Sequence, residues 1–404
     1  MKKIIQILKN NPAYLALLKG KGEIVISHAS DEAILIASAF FASPKPMLII
    51  KESLYQAQLL YQELYPILKN KVVFFPSDES LRVEALASSQ EIMGERINAL
   101  SAICQNEPLV VICHTHSYVR YIPHRELFLQ NTLMLKEGMI LEPVELRQKL
   151  IHSGYQMIQR VDEPFYYSKR GGVIDVYSIQ YDNPIRIEFF DDEIESIRFY
   201  NQNTQRTIEN IDEITILPAS DILYDDQEVT KVISKINDLR DSQAEILDEL
   251  YLEDFLNKVS IDQENLRNHD TSFSMYSYYN LFNQTTSIGD YLDDPLIILS
   301  NSQDINFAYK NYLEENFYYY QELINVGKSV KGLNLFRDLY EVTDKATIEF
   351  KSFATDEKDV IFNGRTIMID SQDEKMLISQ IRSYLKLSTV IIALDDERQI
   401  RLIS

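Results

Sequence analysis

Three features of the 404-residue sequence predict an α/β protein built on a parallel sheet, interrupted by an α+β insert and followed by the start of a further small α/β unit. From Glu23 to His114, short apolar runs alternate with stretches of helical period, the rhythm of a parallel sheet covered by helices. Around Pro123 that rhythm stops, and from Tyr155 to Pro218 nearly every segment reads as a short strand bounded by turn residues. At Pro295 a buried-strand pattern returns, followed by a long apolar-periodic helix. These breaks place the expected domains at 1–122, 123–218, 219–370 and 371–404, the first and third being two halves of one domain.

Composition narrows the class. A hydrophobic content of 45% is ordinary for a globular protein. The net charge of −21 argues against a chain whose main task is gripping nucleic acid, because that affinity comes from Lys and Arg displacing counterions. The two cysteines, Cys104 and Cys113, give no disulfide framework and are expected as buried thiols in a reducing cytoplasm. No Cys/His spacing matches a zinc site, and no catalytic residue or metal ligand set is expected. The N-terminus lacks the apolar core and cleavage site of a signal peptide, and no run approaches the roughly 20 apolar residues that span a bilayer. The expectation is a soluble, cytoplasmic protein.

In the first segment the expected strands are Ile24–Ile26, Met47–Ile50, Val72–Phe75 and Leu109–Cys113, with helices over Asp31–Phe41, Ser53–Tyr65 and Ser88–Ile103. Ser88 or Ser89 with Glu91 has the chemistry of a helix N-terminus. In such a fold the turn after the first strand is where a phosphate would bind. Here it reads Ser27-His28-Ala29-Ser30-Asp31-Glu32-Ala33. A phosphate-cradling loop needs converging glycines, a lysine for the β/γ-phosphates and a Ser/Thr for the metal, and none stands in register. Gly20, Lys21 and Gly22 all precede the strand. Asp31 and Glu32 stand where the lysine belongs, would repel a triphosphate, and read as ordinary charges at a helix N-terminus. His28 reads as a loop histidine. His114 and His116 would share one face of an extended chain, but no third metal ligand is in register.

Inside the insert, Glu142–Ser153 has helical periodicity and Gly154 follows where a stop is expected. Gly171-Gly172 breaks the chain before a strand over Val173–Ser178. Ile185, Ile187 and Phe189 alternate with Arg186, Glu188 and Phe190, and Asp191-Asp192 is a two-residue hairpin turn before a strand from Glu193 to Tyr200. Such alternation suits an antiparallel sheet with one face buried and one in water. Phe190 stands on the charged face. It either packs under a neighbouring element or belongs to a partner-binding patch, where aromatics and Arg concentrate. Arg186 either pairs within the sheet, with Glu188 or a cross-strand acid, or reaches a partner. After Ser220 the chain turns helical and acidic. A strand at Pro295–Ser300 and a helix from Asp304 to Leu323 lead to strands at Thr347–Phe353 and Arg365–Ile369, a helix at Asp373–Leu385 and a strand at Thr389–Leu394. The chain then stops inside a further pattern, as expected of a fragment.

The run from Arg170 through "RGGVIDVYS" and "IRIEFFDDEIESIRFYNQNTQRTIENIDEITILPA" to Ala219 resembles the second domain of the bacterial transcription-repair coupling factors (the Mfd family), and less closely the matching domain of UvrB. Phe75-Pro-Ser-Asp-Glu-Ser and Ser88-Ser-Gln-Glu-Ile-Met-Gly-Glu-Arg96 share the resemblance. It implies a degenerate P-loop NTPase-like, UvrB-like domain that has lost its loop, with an inserted UvrA-binding domain in which Arg170, Arg186 and Phe190 engage UvrA. Arg186→Ala or Phe190→Ala is then expected to abolish UvrA binding with little effect on melting. UvrB keeps the loop and adds an aromatic hairpin that clamps damaged DNA. The dozen residues after Phe75 leave no room for that hairpin. The family as a whole resembles an ATP-driven DNA translocase, with ATP and magnesium in a motor and RNA polymerase and double-stranded DNA as partners through further domains. For this chain the resemblance implies an interaction module without cofactor or catalysis. The competing expectations are a nucleotide-binding enzyme with an unconventional loop at Ser27–Ala33, or weak DNA binding by a local basic patch.

Overall fold

The computed structural model describes residues 1–77, 90–271, 273–339, 348–362 and 374–386. Two short helices open the chain, α1 (Lys2–Leu8) and α2 (Pro12–Lys19). Pro12 sits at the first helical position of α2, Asn11 caps it by accepting from the Ala13 and Tyr14 amides, and Gly20 closes it in the left-handed region. The strand–helix alternation follows as β1 (Gly22–Val25), α3 (Ala29–Ala42), β2 (Met47–Lys51), α4 (Leu54–Leu68), β3 (Val72–Phe75), α5 (Gln90–Ile103) and β4 (Val110–His114). Helix α4 runs past the expected end at Tyr65 to Leu68, with Pro66 in its last turn, where the ring leaves the Gln62 carbonyl without the usual amide donor. Ser88 and Ser89 lie outside the described residues.

After α6 (Thr115–Tyr118) the chain enters the insert through β5 (Ile122–Pro123) and continues as α7 (Arg125–Gln130), β6 (Leu133–Lys136), α8 (Pro143–His152), β7 (Gln156–Met157), β8 (Tyr166–Arg170), β9 (Val173–Val176), β10 (Ile185–Phe190), β11 (Glu193–Tyr200), β12 (Thr207–Asn210) and β13 (Glu213–Ile216). It returns through α9 (Asp226–Ala244), α10 (Glu249–Arg267), a 3-10 segment (Phe273–Leu281), β14 (Thr285–Thr286), β15 (Leu296–Ser300), α11 (Ser302–Asn325), β16 (Ile348–Lys351), β17 (Val360–Ile361) and α12 (Glu374–Leu385). The strands expected at 365–369 and 389–394 lie outside the described residues.

Seven strands form one parallel sheet in the order β17-β1-β16-β15-β2-β4-β3. Strands from before and after the insert therefore interleave: β15 pairs with β2 through Ile298 and Ile49, and with β16 through Ile298 and Ile348. Helices on both sides bury Leu48, Ile49, Ile50 and Val110–Cys113 completely, which is why these strands are unbroken apolar runs rather than alternating ones.

The insert is a six-stranded sheet, order β12-β11-β10-β9-β8-β7, antiparallel except for the short β7–β8 pair. Its inner face buries Ile174, Val176, Ile185, Ile187, Ile194 and Ile197. That core is continuous with the one beneath Leu48, Ile50, Val111 and Cys113 of the parallel sheet, so the insert shares a core with its host. Cys113 is buried as expected, whereas Cys104 is only half-buried, because it follows the last turn of α5 rather than lying inside a strand.

Where the chain enters and leaves the insert, Asp221 accepts from Arg96 Nε at 2.9 Å and Arg120 Nε at 3.0 Å, all three side chains being buried. Arg120 also lies over the Tyr276 ring at 4.2 Å. Burial works against the Asp221 carboxylate, but the two guanidiniums outweigh it and hold the group ionised well below the usual carboxylate range.

Candidate partner-binding face

The register of the inserted sheet decides which side chains share its outer face. Arg186 of β10 pairs with Asp175 of β9 and Arg198 of β11, while Glu188 pairs with Val173 and Ser196. Val173 in turn faces Arg170 on β8, and Phe190 faces Glu193 at the hairpin end. Side chains of directly paired residues point to one side, so Arg170 on β8 and Arg186 and Phe190 on β10 stand on the same face. Between Glu188 and Phe189 the register shifts: Glu195 of β11 is the extra residue of a β-bulge, so alternation along β10 runs on to Phe190.

Each of the three behaves differently. Phe190 is 69% exposed, so it does not pack under a neighbouring element. Two causes act together: Phe189 takes the inward position against the core, and Asp191, with φ 55°, reverses the chain immediately afterwards. Arg170 is exposed beside the Gly171-Gly172 turn and donates from Nη2 to the Gln159 carbonyl at 2.5 Å. Gly171 holds φ +59°, and a Cβ on Gly172 would stand 3.1 Å from the Phe189 carbonyl oxygen, so this turn requires both glycines.

Arg186 is the constrained member. Its Nε and Nη2 grip the two Asp175 oxygens at 2.7 and 2.8 Å, Nη2 also reaches Gln205 Oε1 at 2.9 Å, and the guanidinium lies 4.4 Å over the Tyr200 ring. The hydrogen bonds and charge of Asp175 raise its pKa above the ordinary arginine value. The partner is thus the cross-strand acid rather than Glu188, which is bonded instead by Arg198 and Ser196 and has its pKa lowered by them. The Nε–Nη2 fork with which Arg186 could reach a partner is thus occupied inside the sheet, which leaves its Nη1 edge. Gln205 and Tyr200 gave no sign of this role in the sequence, because their positions follow from the bulged register rather than from spacing.

Two further features of this face carry no motif. Ile140, 65% exposed, bridges Glu193 and so stands on the same side as Phe190 with one residue between them. Beside the hairpin opens a groove of about 790 Å³, lined by Phe190, by Glu137, Glu193, Glu195, Asp212 and Glu213, and by Lys136, which pairs with Glu213 at 2.7 Å. The ridge of Phe190 and Ile140 is therefore flanked by strong negative charge.

The turn after β1 is a different place. Ser27, His28 and Ser30 are exposed, but Glu32 is buried. Lys51 Nζ, at the carboxyl end of β2, donates to both Glu32 oxygens at 2.7 and 3.0 Å and to Ser300 Oγ of β15 at 2.7 Å. Glu32 is thus no ordinary helix-end charge. It turns inward because a buried lysine needs an anion, and burial raises its pKa despite that lysine. Asp31 stays partly in water, and burial raises its pKa as well.

His114 and His116 do not present one extended face, because the chain turns into α6 at Thr115. His114 Nε2 lies 3.1–3.2 Å from the Ser77 amide and carbonyl, and burial lowers its pKa to about 3. His116 stacks on Tyr312 at 3.8 Å. Among the described residues no helix is long and apolar enough to cross a membrane.

Residues 133–222 match the family model for the UvrB interaction domain. The transcription-repair-coupling factor of Bacillus subtilis (strain 168) is 28% identical over 325 residues, covering 79% of this chain and 28% of that protein. That of Staphylococcus haemolyticus (strain JCSC1435) is 26% identical over 310 residues, 75% of this chain and 26% of its own. The match thus spans about a quarter of the length of these relatives. Arg170, Arg186 and Phe190 all lie inside the matched domain, and the similarity continues into the parallel sheet that carries it. Over its UvrB interaction domain and the parallel sheet that carries it, the chain is thus similar to about a quarter of the length of the transcription-repair-coupling factors.

Proposed function

We propose that this chain recruits UvrA in transcription-coupled nucleotide excision repair, using the outer face of the inserted sheet as the docking surface. The supporting observation is the convergence of Arg170, Arg186 and the exposed Phe190 on one side of a domain that matches the UvrB interaction domain. In this reading Phe190 is the anchor that enters an apolar pocket of UvrA, and Arg170 is the accessible cation at the edge. Arg186 works chiefly by holding Asp175, Gln205 and Tyr200 in place around it. The wider protein then acts on stalled RNA polymerase and double-stranded DNA through an ATP- and magnesium-dependent motor, as the family resemblance implies, in the cytoplasm.

The chain described here is, on this proposal, not an enzyme. The Lys51–Glu32–Ser300 cluster supports that view, because it fills the carboxyl-end crevice of the parallel sheet with internal bonds where a phosphate would need free donors. Titration calorimetry of purified UvrA into this chain tests the docking. Phe190→Ala is expected to weaken binding about 10- to 100-fold, the loss of one buried aromatic anchor, while leaving the thermal melt unchanged. Undiminished affinity in that variant would overturn the assignment of the face.

A further inference from the structure

The geometry points to a divalent metal site of the zinc class at the junction of the insert with the returning helices, formed by His152, Asp226 and His269. Three separate helix ends bring these residues together. His152 is the last residue of α8, Asp226 opens α9, and His269 follows the last turn of α10. The donor atoms of all three lie within 4.8 Å of one another, and His269 Nε2 stands 2.6 Å from Asp226 Oδ1. A zinc ion with bonds of about 2.0–2.2 Å needs its ligand atoms roughly 3.3–3.5 Å apart, so small side-chain movements close the site.

The surroundings divide the ligands into one fixed and two adjustable. His269 is buried, stacked between Tyr224 at 5.1 Å and His152 at 3.9 Å. Tyr224 is itself held by its hydroxyl on the Asp270 carbonyl, at 2.9 Å, and by stacking on Phe282. The His269 ring is therefore held with Nε2 toward Asp226, and that nitrogen is the one that would bind the ion. His152 is half-buried and Asp226 has a side chain 74% exposed, so Asp226 can swing and His152 can turn out of its stack to bring a ring nitrogen to the ion. Water completes a four-coordinate shell, as at other sites with two histidines and one carboxylate.

His152 and His269 stand at the C-terminal ends of α8 and α10, where helix carbonyls carry partial negative charge, while Asp226 stands at the oppositely charged N-terminal end of α9. His269 also occupies a left-handed position, φ 54°, that glycine or asparagine fills with less strain after a helix. The bound ion would clip α8 of the insert to α9 and α10, beside the close contact in which Gly154 meets Ser220 and Thr271.

The test is calorimetric titration of zinc chloride into chelator-treated protein, followed by melting with and without zinc. One equivalent per chain with a raised Tm is expected. His152→Ala and Asp226→Asn should each weaken binding at least tenfold and abolish the Tm gain. His269→Asn, whose side chain tolerates the left-handed backbone, keeps the fold while removing the fixed ligand. His28→Ala, in the exposed loop after β1, should bind zinc like the parent. Absence of binding heat at tens of micromolar protein, or full binding in His152→Ala and His269→Asn, overturns the site.

Discussion

The carboxyl-end crevice of the parallel sheet and the outer face of the inserted sheet both carry opposed charges, but they dispose of them differently. In the crevice Glu32 and Lys51 turn inward and satisfy each other with Ser300, out of reach of solvent. On the outer face Asp175–Arg186 and Glu188–Arg198 pair along the sheet surface, while Phe190 and Arg170 project into water. The first arrangement turns its charged groups toward each other; the second pairs two arginines with two acids and leaves Phe190 exposed among them. The crevice thus spends its charged groups on one another, while the inserted sheet turns an aromatic side chain outward.

The sharpest way to break this comparison is Lys51→Ala. Leaving Glu32 buried without its cation should cost about 3–5 kcal/mol, read as a lowered urea midpoint, whereas Lys51→Met combined with Glu32→Leu should come out near neutral. Next in size is Arg186→Ala. Because Asp175 is buried and loses both its bonds, this variant should fall by about 2 kcal/mol in stability as well as in UvrA affinity. The expectation of a small melting effect is therefore kept for Phe190→Ala and replaced by a larger one for Arg186→Ala. Arg170→Ala removes an exposed cation that touches only the Gln159 carbonyl, and should weaken UvrA binding less than about tenfold with no change in melting.

The smallest effect is in titration. Burial raises the Glu32 pKa, so its ionised form opposes folding above the ordinary glutamate value of about 4.3, and that opposition fades as pH falls through the raised value. Glu188 is lowered by Arg198, so its contribution is present above the ordinary value and is lost as pH falls through the lowered one. Carboxyl NMR titration should place the two glutamates on opposite sides of that value. Coincident titrations would show that the crevice and the face are not electrostatically distinct.

Much of this was legible in the chain because it is carried by short-range pattern. The apolar runs of β2, β4 and β15 announce strands covered on both sides, and Asp191-Asp192 announces the hairpin. The alternation along β10 placed Arg186 and Phe190 on one face, and the register bears that out. What was not legible depends on long-range placement. Glu32 reads as a surface helix charge until Lys51 and Ser300 are brought beneath it from two other strands. Ile140 joins the Phe190 ridge only through a bridge to β11. His152, Asp226 and His269 share no spacing at all, being gathered by the ends of three helices, so no motif search could have collected them.

The buried Asp221 has a mechanical consequence. Arg120 lies on the strand of chain entering the insert and Asp221 on the strand leaving it, with Arg96 of the host helix joined to the same carboxylate. Both crossings of the neck are thus stapled at one point to the parallel sheet. A pull applied at the hairpin tip is therefore expected to meet this three-way ion pair before it can swing the insert away from its host.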